Sequence, residues 1–245
     1  MIQAENLAKF YQRKPVLAGV DLSVNSGELV ILQGANGVGK TTLIRILATL
    51  TRPASGDFSI GGFSGIKEPE LVRKQIGVML HQPMVYGDLT AMENLHFYAS
   101  LAGLKDQSSQ NAALLELVGL DPNNSKLVRN YSRGMQQRLA ISRALIGNPP
   151  VLLMDEPFTG LDSANQERFI RLLNQLRVQG KAILISDHDL FRASQIATRV
   201  DYLFRGKISR SFSGEELTPD RLGEKIAAIE SAPRGTALEK EPAKQ

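Results

Sequence analysis

Short apolar runs separated by turn residues dominate the first 33 positions of the chain. The runs 16–24 and 29–33 flank Asn25-Ser26-Gly27, whose residue types are typical of a turn between two strands. Later apolar runs are too short for helices and lack the alternation of a half-exposed strand, which favours buried strands of a parallel sheet. These later strand candidates are 76–80, 151–154, 182–185 and 200–204.

Helical periodicity alternates with these runs. Apolar residues recur at helical spacing at Leu43, Ile46, Leu47 and Leu50, and again at Phe169, Leu172, Leu173 and Leu176. Between 84 and 148 helical patterns prevail, and Thr90 with Glu93 forms the sequence of a capping box. The order of elements predicts an α/β protein with a parallel sheet covered on both faces and a helical lobe over 84–148 inserted into its core.

Composition changes this picture little. The 245 residues are 42% hydrophobic and include no cysteine, which excludes a disulfide framework and fits the cytoplasm. A net charge of +4 without a compact basic block gives no reason to expect nucleic acid, and no apolar run approaches the roughly 18 residues of a membrane span. We expect one domain over 1–230 and a disordered tail over 231–245, where Pro, Lys, Glu and Ala prevail.

A glycine-rich loop joins the strand at 29–33 to the first helix. Its glycines allow consecutive backbone N–H groups to surround an anion, and the helix start adds its positive end. Lys40 would reach the β and γ phosphates of a nucleotide, the Thr41 hydroxyl would bind Mg²⁺, and Thr42 would add a phosphate contact. An ordinary glycine turn is the alternative, but the full spacing and the preceding strand favour phosphate. The loop comprises Gly34, Ala35, Asn36, Gly37, Val38, Gly39, Lys40, Thr41 and Thr42.

Two acids follow the buried run at 151–154. Asp155 and Glu156 would therefore stand at the carboxyl end of a strand, where the ligands of open α/β sheets bind. Asp155 suits the magnesium shell and Glu156 suits a base that polarises the attacking water. The alternative is that the two acids cap the next helix or face solvent, which an independent phosphate loop makes the weaker interpretation.

A second glycine-centred segment reads Tyr131-Ser132-Arg133-Gly134-Met135-Gln136-Gln137-Arg138. Taken alone, Ser132 and the following apolar periodicity predict only a capped helix. The segment, however, resembles the signature of ABC transporter ATPases, and the resemblance covers residues 1 to about 212 in the motif order of that family. It implies a P-loop NTPase core of the ABC ATPase type, with a parallel sheet, an N-terminal β subdomain and the inserted helical lobe.

The resemblance also implies an ATP-hydrolysing head-to-tail dimer that encloses two ATP molecules with Mg²⁺. In that arrangement Ser132 and Gly134 contact the γ phosphate held by the glycine loop of a second copy. Asp162 senses the neighbouring site, although it also suits the N-cap of a helix that begins at Ser163. The remaining roles that the resemblance implies are adenine stacking for Tyr11, contact with metal and attacking water for Gln82, and contact with the γ phosphate for His188.

Four residues depart from the family pattern or match nothing in it. Arg133 replaces the usual small residue of the signature and Met135 replaces the usual glutamine, so that the side-chain contacts there are expected to differ. His81 and His96 match no catalytic position, and we expect both to be structural.

The segment 83–90 resembles the surface that receives the coupling helix of integral membrane permease subunits, which would hold the chain at the cytoplasmic face of the membrane. The chain looks most like the ATP-binding subunit of heme exporters of cytochrome c maturation. Exporters of drugs, peptides or polysaccharides are the alternative, followed by a non-transport ATPase and a regulatory module without turnover. Chromosome-maintenance relatives are disfavoured because 84–131 has no sustained heptads, and translation relatives because they usually carry two such domains.

Overall fold

The computed structural model describes residues 1–232. Ser231 is the last residue of a helix, so the tail predicted for 231–245 lies outside the described residues apart from its first two positions. The strands are β1 (Ile2–Tyr11), β2 (Lys14–Val24), β3 (Leu29–Gln33), β4 (Ser55–Ile60), β5 (Phe63–Ser64), β6 (Ile76–Met79), β7 (Val151–Asp155), β8 (Ala182–Ser186), β9 (Arg199–Phe204) and β10 (Lys207–Ser213).

The first helix follows β3. The helices are α1 (Lys40–Leu47), α2 (Pro69–Gln75), α3 (Ala91–Leu101), α4 (Ser108–Leu117), α5 (Arg133–Ala144), α6 (Ser163–Val178), α7 (Leu190–Ile196) and α8 (Pro219–Ser231). Short 3-10 turns occupy Val128–Asn130 and Gly214–Glu216. None of the helices between residues 1 and 232 is long and apolar enough to cross a membrane.

A six-stranded sheet with the order β10-β9-β3-β8-β7-β6 forms the centre of the fold. All residues of β3, β7 and β8 are buried, because helices cover both faces, and this explains why the apolar runs show no alternation. Five of the strands are parallel, as the sequence predicts, whereas β10 pairs antiparallel with β9 at the edge.

A second sheet, with the order β2-β1-β4-β5, packs beside α1 and forms the N-terminal β part of the fold. Its core joins apolar residues of β1 and β2, such as Ile2 and Leu17, to Leu43 and Ile46 of α1. The β1 ladder is interrupted by register shifts between Ala4 and Leu7 and again further along, so that the inward-facing residues do not alternate regularly. This irregularity is why the sequence pattern did not delimit β1.

The three helices α3, α4 and α5 lie within the range 84–148. Thr90 and Glu93 form the expected capping box at the start of α3, with both reciprocal hydrogen bonds present. Leu95, Leu115 and Leu139 from the three helices share one apolar core with Ile31 of β3, so this lobe is anchored to the central sheet.

Candidate nucleotide site

Four neighbouring parallel strands end at one edge of the large sheet. In the order β3-β8-β7-β6, their carboxyl ends lead into the glycine loop, the segment 187–189, the acid pair 155–156 and the segment 81–82. Because parallel strands present the same end at the same edge, chain segments more than 150 positions apart meet here. This convergence defines the candidate site.

The glycine loop needs its glycines for the fold as well as for a ligand. At Gly39, φ is 120° and an added Cβ would approach the Val16 carbonyl to 3.0 Å and Leu17 Cδ2 to 2.9 Å. At Gly37, by contrast, no heavy atom lies within 4 Å of such a Cβ, so the space above it is open. Gly39 is also the N-cap of α1 and supplies no side-chain hydrogen bond. The first N–H groups of α1 are therefore left for an anion.

Lys40 is turned into this loop. Its Nζ donates to the Gly34 carbonyl at 2.6 Å and to the Ala35 carbonyl at 3.1 Å, and its side chain is buried. Burial lowers the pKa of Lys40, while the charges of Glu156, Asp155 and Asp187 oppose that shift. The ammonium group thus stands between the loop and the acids, as a phosphate-binding lysine requires. Ala35, Asn36, Val38, Thr41 and Thr42 complete the loop and the first turn of α1 around it.

Ser186 contacts both acidic residues at the end of β7, through the carboxylate of Asp155 and the backbone of Glu156. Its hydroxyl donates to Asp155 Oδ1 at 2.5 Å, and the Glu156 N–H donates to the same hydroxyl at 3.0 Å and to the Ser186 carbonyl at 3.1 Å. Asp155 is 1% exposed, whereas Glu156 is partly exposed with φ at 50°. The Asp155 carboxylate is therefore fixed and buried, whereas the Glu156 carboxylate beside it is accessible. Nothing in the sequence marked Ser186, because it ends an apolar run without a motif.

The donor set fits magnesium in a limited way. Residues 1–232 contain no cluster of three or more His, Cys, Asp or Glu side chains that would hold a metal ion. Mg²⁺ often binds through one or two carboxylates with substrate phosphates and water, so Asp155 and the Thr41 hydroxyl are compatible with an ion that arrives with a nucleotide.

Two histidines lie near the acid pair. His81 Nδ1 lies 3.8 Å from Glu156 Oε2 and its side chain is 57% exposed, so His81 stands beside the acid pair, a position that our expectation of a structural role did not include. Its neighbour Gln82 is exposed beyond β6. His188 follows β8 with a side chain 64% exposed, its Nδ1 4.0 Å from Asp187 Oδ1. His96 Nε2, in contrast, lies 3.2 Å from Ser108 Oγ and links α3 to α4.

Tyr11 ends β1 with its ring about half exposed. The Lys9 ammonium lies 5.5 Å from the ring centroid. An accessible aromatic face is what stacking on a nucleotide base requires. The described contacts of Tyr11 therefore permit its predicted role.

The signature segment starts α5 and packs against the loop that follows Glu156. Ser132 caps the helix, accepting the Met135 N–H at 3.2 Å, and a Cβ on Gly134 would lie 2.9 Å from the Gly160 carbonyl. Buried Gln137 donates to the Pro157 carbonyl at 2.9 Å. These contacts fix the start of α5 against 157–160.

Both departures in the signature make packing contacts. Met135 is partly buried and packs against the apolar core that the helical lobe shares with the central sheet. The Arg133 side chain lies over Gly160, where an added Cβ would be 3.1 Å from Arg133 Cγ. Asp162, in the next turn of the same loop, caps α6 by accepting the Asn165 N–H at 2.9 Å.

Comparison with known proteins agrees with this geometry. A family model described as ABC transporter matches residues 17–159. ABC transporter ATP-binding protein NatA of Bacillus subtilis (strain 168) is 34% identical over 206 residues, which cover 82% of this chain and 84% of that protein. Bacitracin transport ATP-binding protein BcrA of Bacillus licheniformis is 35% identical over 209 residues, covering 85% of this chain and 68% of that protein.

Solved structures show the same fold. The ATP-binding subunit of an ABC transporter superposes with a TM-score of 0.83 at 28% identity, covering 94% of this chain and 98% of that one. A dimeric ATP-binding cassette in a post-hydrolysis state, bound to ADP and Pi, gives a TM-score of 0.80 at 29% identity, covering 87% and 98%. The chain therefore belongs to the ABC transporter family, as a member that binds and hydrolyses ATP.

Proposed function

We propose that this chain is the ATPase subunit of an exporter for drugs or peptides, and that it works as a head-to-tail dimer on membrane permease subunits. The observation that carries the proposal is the convergence of the glycine loop, the acid pair 155–156 and His188 at one sheet edge, together with the position of Ser132 and Gly134 at the start of α5. In this proposal the residues at the sheet edge bind one ATP molecule, and Ser132 and Gly134 contact the ATP that another copy binds.

The glycine loop binds the phosphates in this proposal. Its N–H groups and Lys40 contact the β and γ phosphates, with further contacts from Thr42. Asp155, Thr41 and Gln82 would hold Mg²⁺, which when bound would neutralise charge on the phosphate oxygens. Asp155 enters this role already oriented by Ser186, so that little reorganisation accompanies binding.

Glu156 acts as the general base. Its carboxylate accepts a proton from the attacking water while the new bond forms from the water oxygen to the γ phosphorus and the bond to the β-γ bridging oxygen breaks. His188 donates to a γ-phosphate oxygen and Gln82 orients the water. The hydrogen bonds from the Glu156 N–H to Ser186 fix the backbone that carries this base.

A second copy completes each reaction centre. A similar cassette of 29% identity is dimeric with ADP and Pi, which supports the same assembly here. Ser132 and Gly134 then face the γ phosphate of the partner copy. In the same proposal Asp162, which follows the loop that packs on α5, reports the state of one site to the other.

An exposed aromatic group supports docking on a permease. Tyr86 of the segment 83–90 lies 4.8 Å from Phe97 and 5.9 Å from Tyr98, measured between ring centroids, and both Tyr86 and Phe97 are exposed. Met84 beside them is half exposed. Aromatic residues and methionine are enriched where proteins meet, so this group suits a permease helix and would place the chain at the cytoplasmic membrane face.

The relatives favour one class of cargo. BcrA is named for bacitracin transport, and a lantibiotic transport ATP-binding protein, SrtF of Streptococcus pyogenes, is 30% identical over 218 residues. The likeness to heme exporters drawn from the sequence has no support in these relatives. An antibiotic or peptide cargo is therefore the better proposal.

Replacing Glu156 by Gln tests the proposed reaction. We expect ATP binding within about twofold of the unaltered chain, turnover lower by roughly 10² to 10⁴, and an ATP-bound dimer on size exclusion, because only the general base is removed. The exposed Glu167, replaced by Gln, serves as the matched control and should leave turnover unchanged. Turnover near the unaltered rate in Glu156→Gln would remove Glu156 from its role.

A further inference from the structure

A buried ion pair stands directly behind His188. Asp187 is 2% exposed, and its carboxylate accepts two hydrogen bonds from Arg192 of α7, one from Nε at 2.5 Å and one from Nη2 at 3.0 Å. The Asp189 N–H donates to the same carboxylate at 3.1 Å. The backbone on both sides of His188 is thus tied to one guanidinium group. A two-point contact of this kind fixes orientation as well as distance.

Arg192 also reaches the loop beyond the acid pair. Its guanidinium carbon lies 4.4 Å from the centroid of the Phe158 ring, and its Nη1 donates to Gln166 Oε1 at 3.2 Å. Gln166 in turn donates to the Leu161 carbonyl at 2.9 Å. A single side chain therefore braces the segment 187–189 against the loop that follows Glu156.

The same side chain lines a cavity of about 220 Å³ together with Glu156, His188 and Gly160. Burial opposes the charge of Arg192, but the hydrogen bonds and charge of Asp187 and the charge of Asp189 raise the pKa of Arg192 above its ordinary value. The Arg192 guanidinium group therefore stays charged, and it forms part of the wall of the site together with Asp187.

A buried ion pair is weak evidence for stability, because its desolvation offsets much of its attraction. From its geometry we infer that Arg192 is a positioning residue for ATP hydrolysis, which acts through Asp187 to hold His188 toward the γ phosphate. The inference rests on the proposed role of His188. It assigns to Arg192 no contact with the nucleotide.

A second buried pair provides a matched control. Arg199 Nε lies 2.9 Å from Asp201 Oδ1 and its Nη1 lies 3.2 Å from Glu28, with a similarly low exposure of the arginine. This pair joins β9 to the strand turn at Glu28 and touches none of the proposed catalytic residues. The same substitution at the two arginines separates a role in positioning from a role in stability.

The experiment uses the full chain with Arg192→Lys, which keeps the charge and loses the planar two-point contact. We expect kcat to fall about tenfold or more with the KM for ATP within twofold, because His188 is misplaced while the glycine loop is intact. Arg199→Lys should leave kcat within twofold. If Arg192→Lys does not fold, as judged by circular dichroism, the neutral pair Asp187→Asn with Arg192→Gln replaces it, with the same expectation.

The decisive part of the experiment combines Arg192→Lys, and separately Arg199→Lys, with His188→Ala. Because Arg192 acts through His188, Arg192→Lys should change kcat by less than twofold in that background. A further tenfold loss there, or an unchanged kcat in folded Arg192→Lys, overturns the inference alone. An unchanged kcat in His188→Ala alone overturns the proposed role of His188 and the inference with it. This failure is distinguishable from a failure of the inference alone, because it is seen in a chain whose Arg192 is unaltered.

Discussion

The starts of α1 and α5 both follow or contain glycine, yet they differ in what satisfies their free N–H groups. Gly39 leaves the start of α1 uncapped, whereas Ser132 caps α5 with its own hydroxyl. Around α1 the chain supplies Lys40 and three carboxylates at two adjacent strand ends, those of Asp155, Glu156 and Asp187. Around α5 it supplies the backbone of 157–160. Both helix starts carry partial positive charge, but only the start of α1 has charged side chains around it. We infer that a helix start suits a nucleotide when a lysine and carboxylates also converge on it.

The two regions are nevertheless joined through one loop. Glu156 begins the loop, Gly160 packs against the start of α5, and Asp162 ends it as the cap of α6. A movement of Glu156 can therefore be passed along this short loop to the start of α5. This arrangement suits two half-sites that must act together in a dimer.

The largest effect should come from Lys40→Ala, which tests whether the start of α1 is the primary site. Removing a charged donor to phosphate oxygens should weaken ATP binding by roughly tenfold to a hundredfold or more. Fluorescence titration with a labelled ATP analogue measures it. Ser132→Ala is the matched change at α5 and should leave binding to the separate chain within about twofold. Equal losses in the two variants would break the distinction between the regions.

A mixing experiment gives the next effect. A Lys40→Ala chain lacks a working glycine loop, and a Gly134→Asp chain brings a carboxylate to the start of α5, where even an added Cβ would lie 2.9 Å from the Gly160 carbonyl. A mixed dimer contains one intact combination, so turnover should recover to about a quarter of that of the unaltered chain, because about half of the dimers are mixed and each has one working centre.

Mixing either altered chain with itself is the control and should give no recovery. ATP turnover measured against the mixing ratio should pass through a maximum near equal amounts. A flat response would contradict the proposal that the two regions are halves of a shared centre.

The smallest effect is expected for Arg133→Ala. The Arg133 side chain lies exposed over Gly160, so the free energy of unfolding should change by less than about 0.5 kcal/mol. Turnover should change by no more than about threefold, because Ser132 and Gly134 keep the helix start in place. Urea denaturation and steady-state ATPase assays measure the two quantities. A larger loss of turnover, which shrinks at high salt because salt screens the charge, would instead assign Arg133 a contact with phosphate.

Sequence pattern identified the central strands well, because β3, β7 and β8 are buried along their whole length and no polar position interrupts them. It did less for β1, whose bulges break the alternation, and for the antiparallel edge strand β10, of which only Phe212 is buried. The helix caps at Thr90, Ser132 and Asp162 were readable because capping is a local interaction between residues three positions apart.

The sequence by itself determined the chemistry of the glycine loop and of the acid pair, because in both the functional groups are neighbours along the chain. Only the tertiary structure decided that Ser186 orients Asp155, that His81 stands beside Glu156 and that Arg192 braces the backbone around His188. These contacts form where separate parallel strands end at a shared edge. Their geometry follows from strand order and register, which no local pattern of residues specifies.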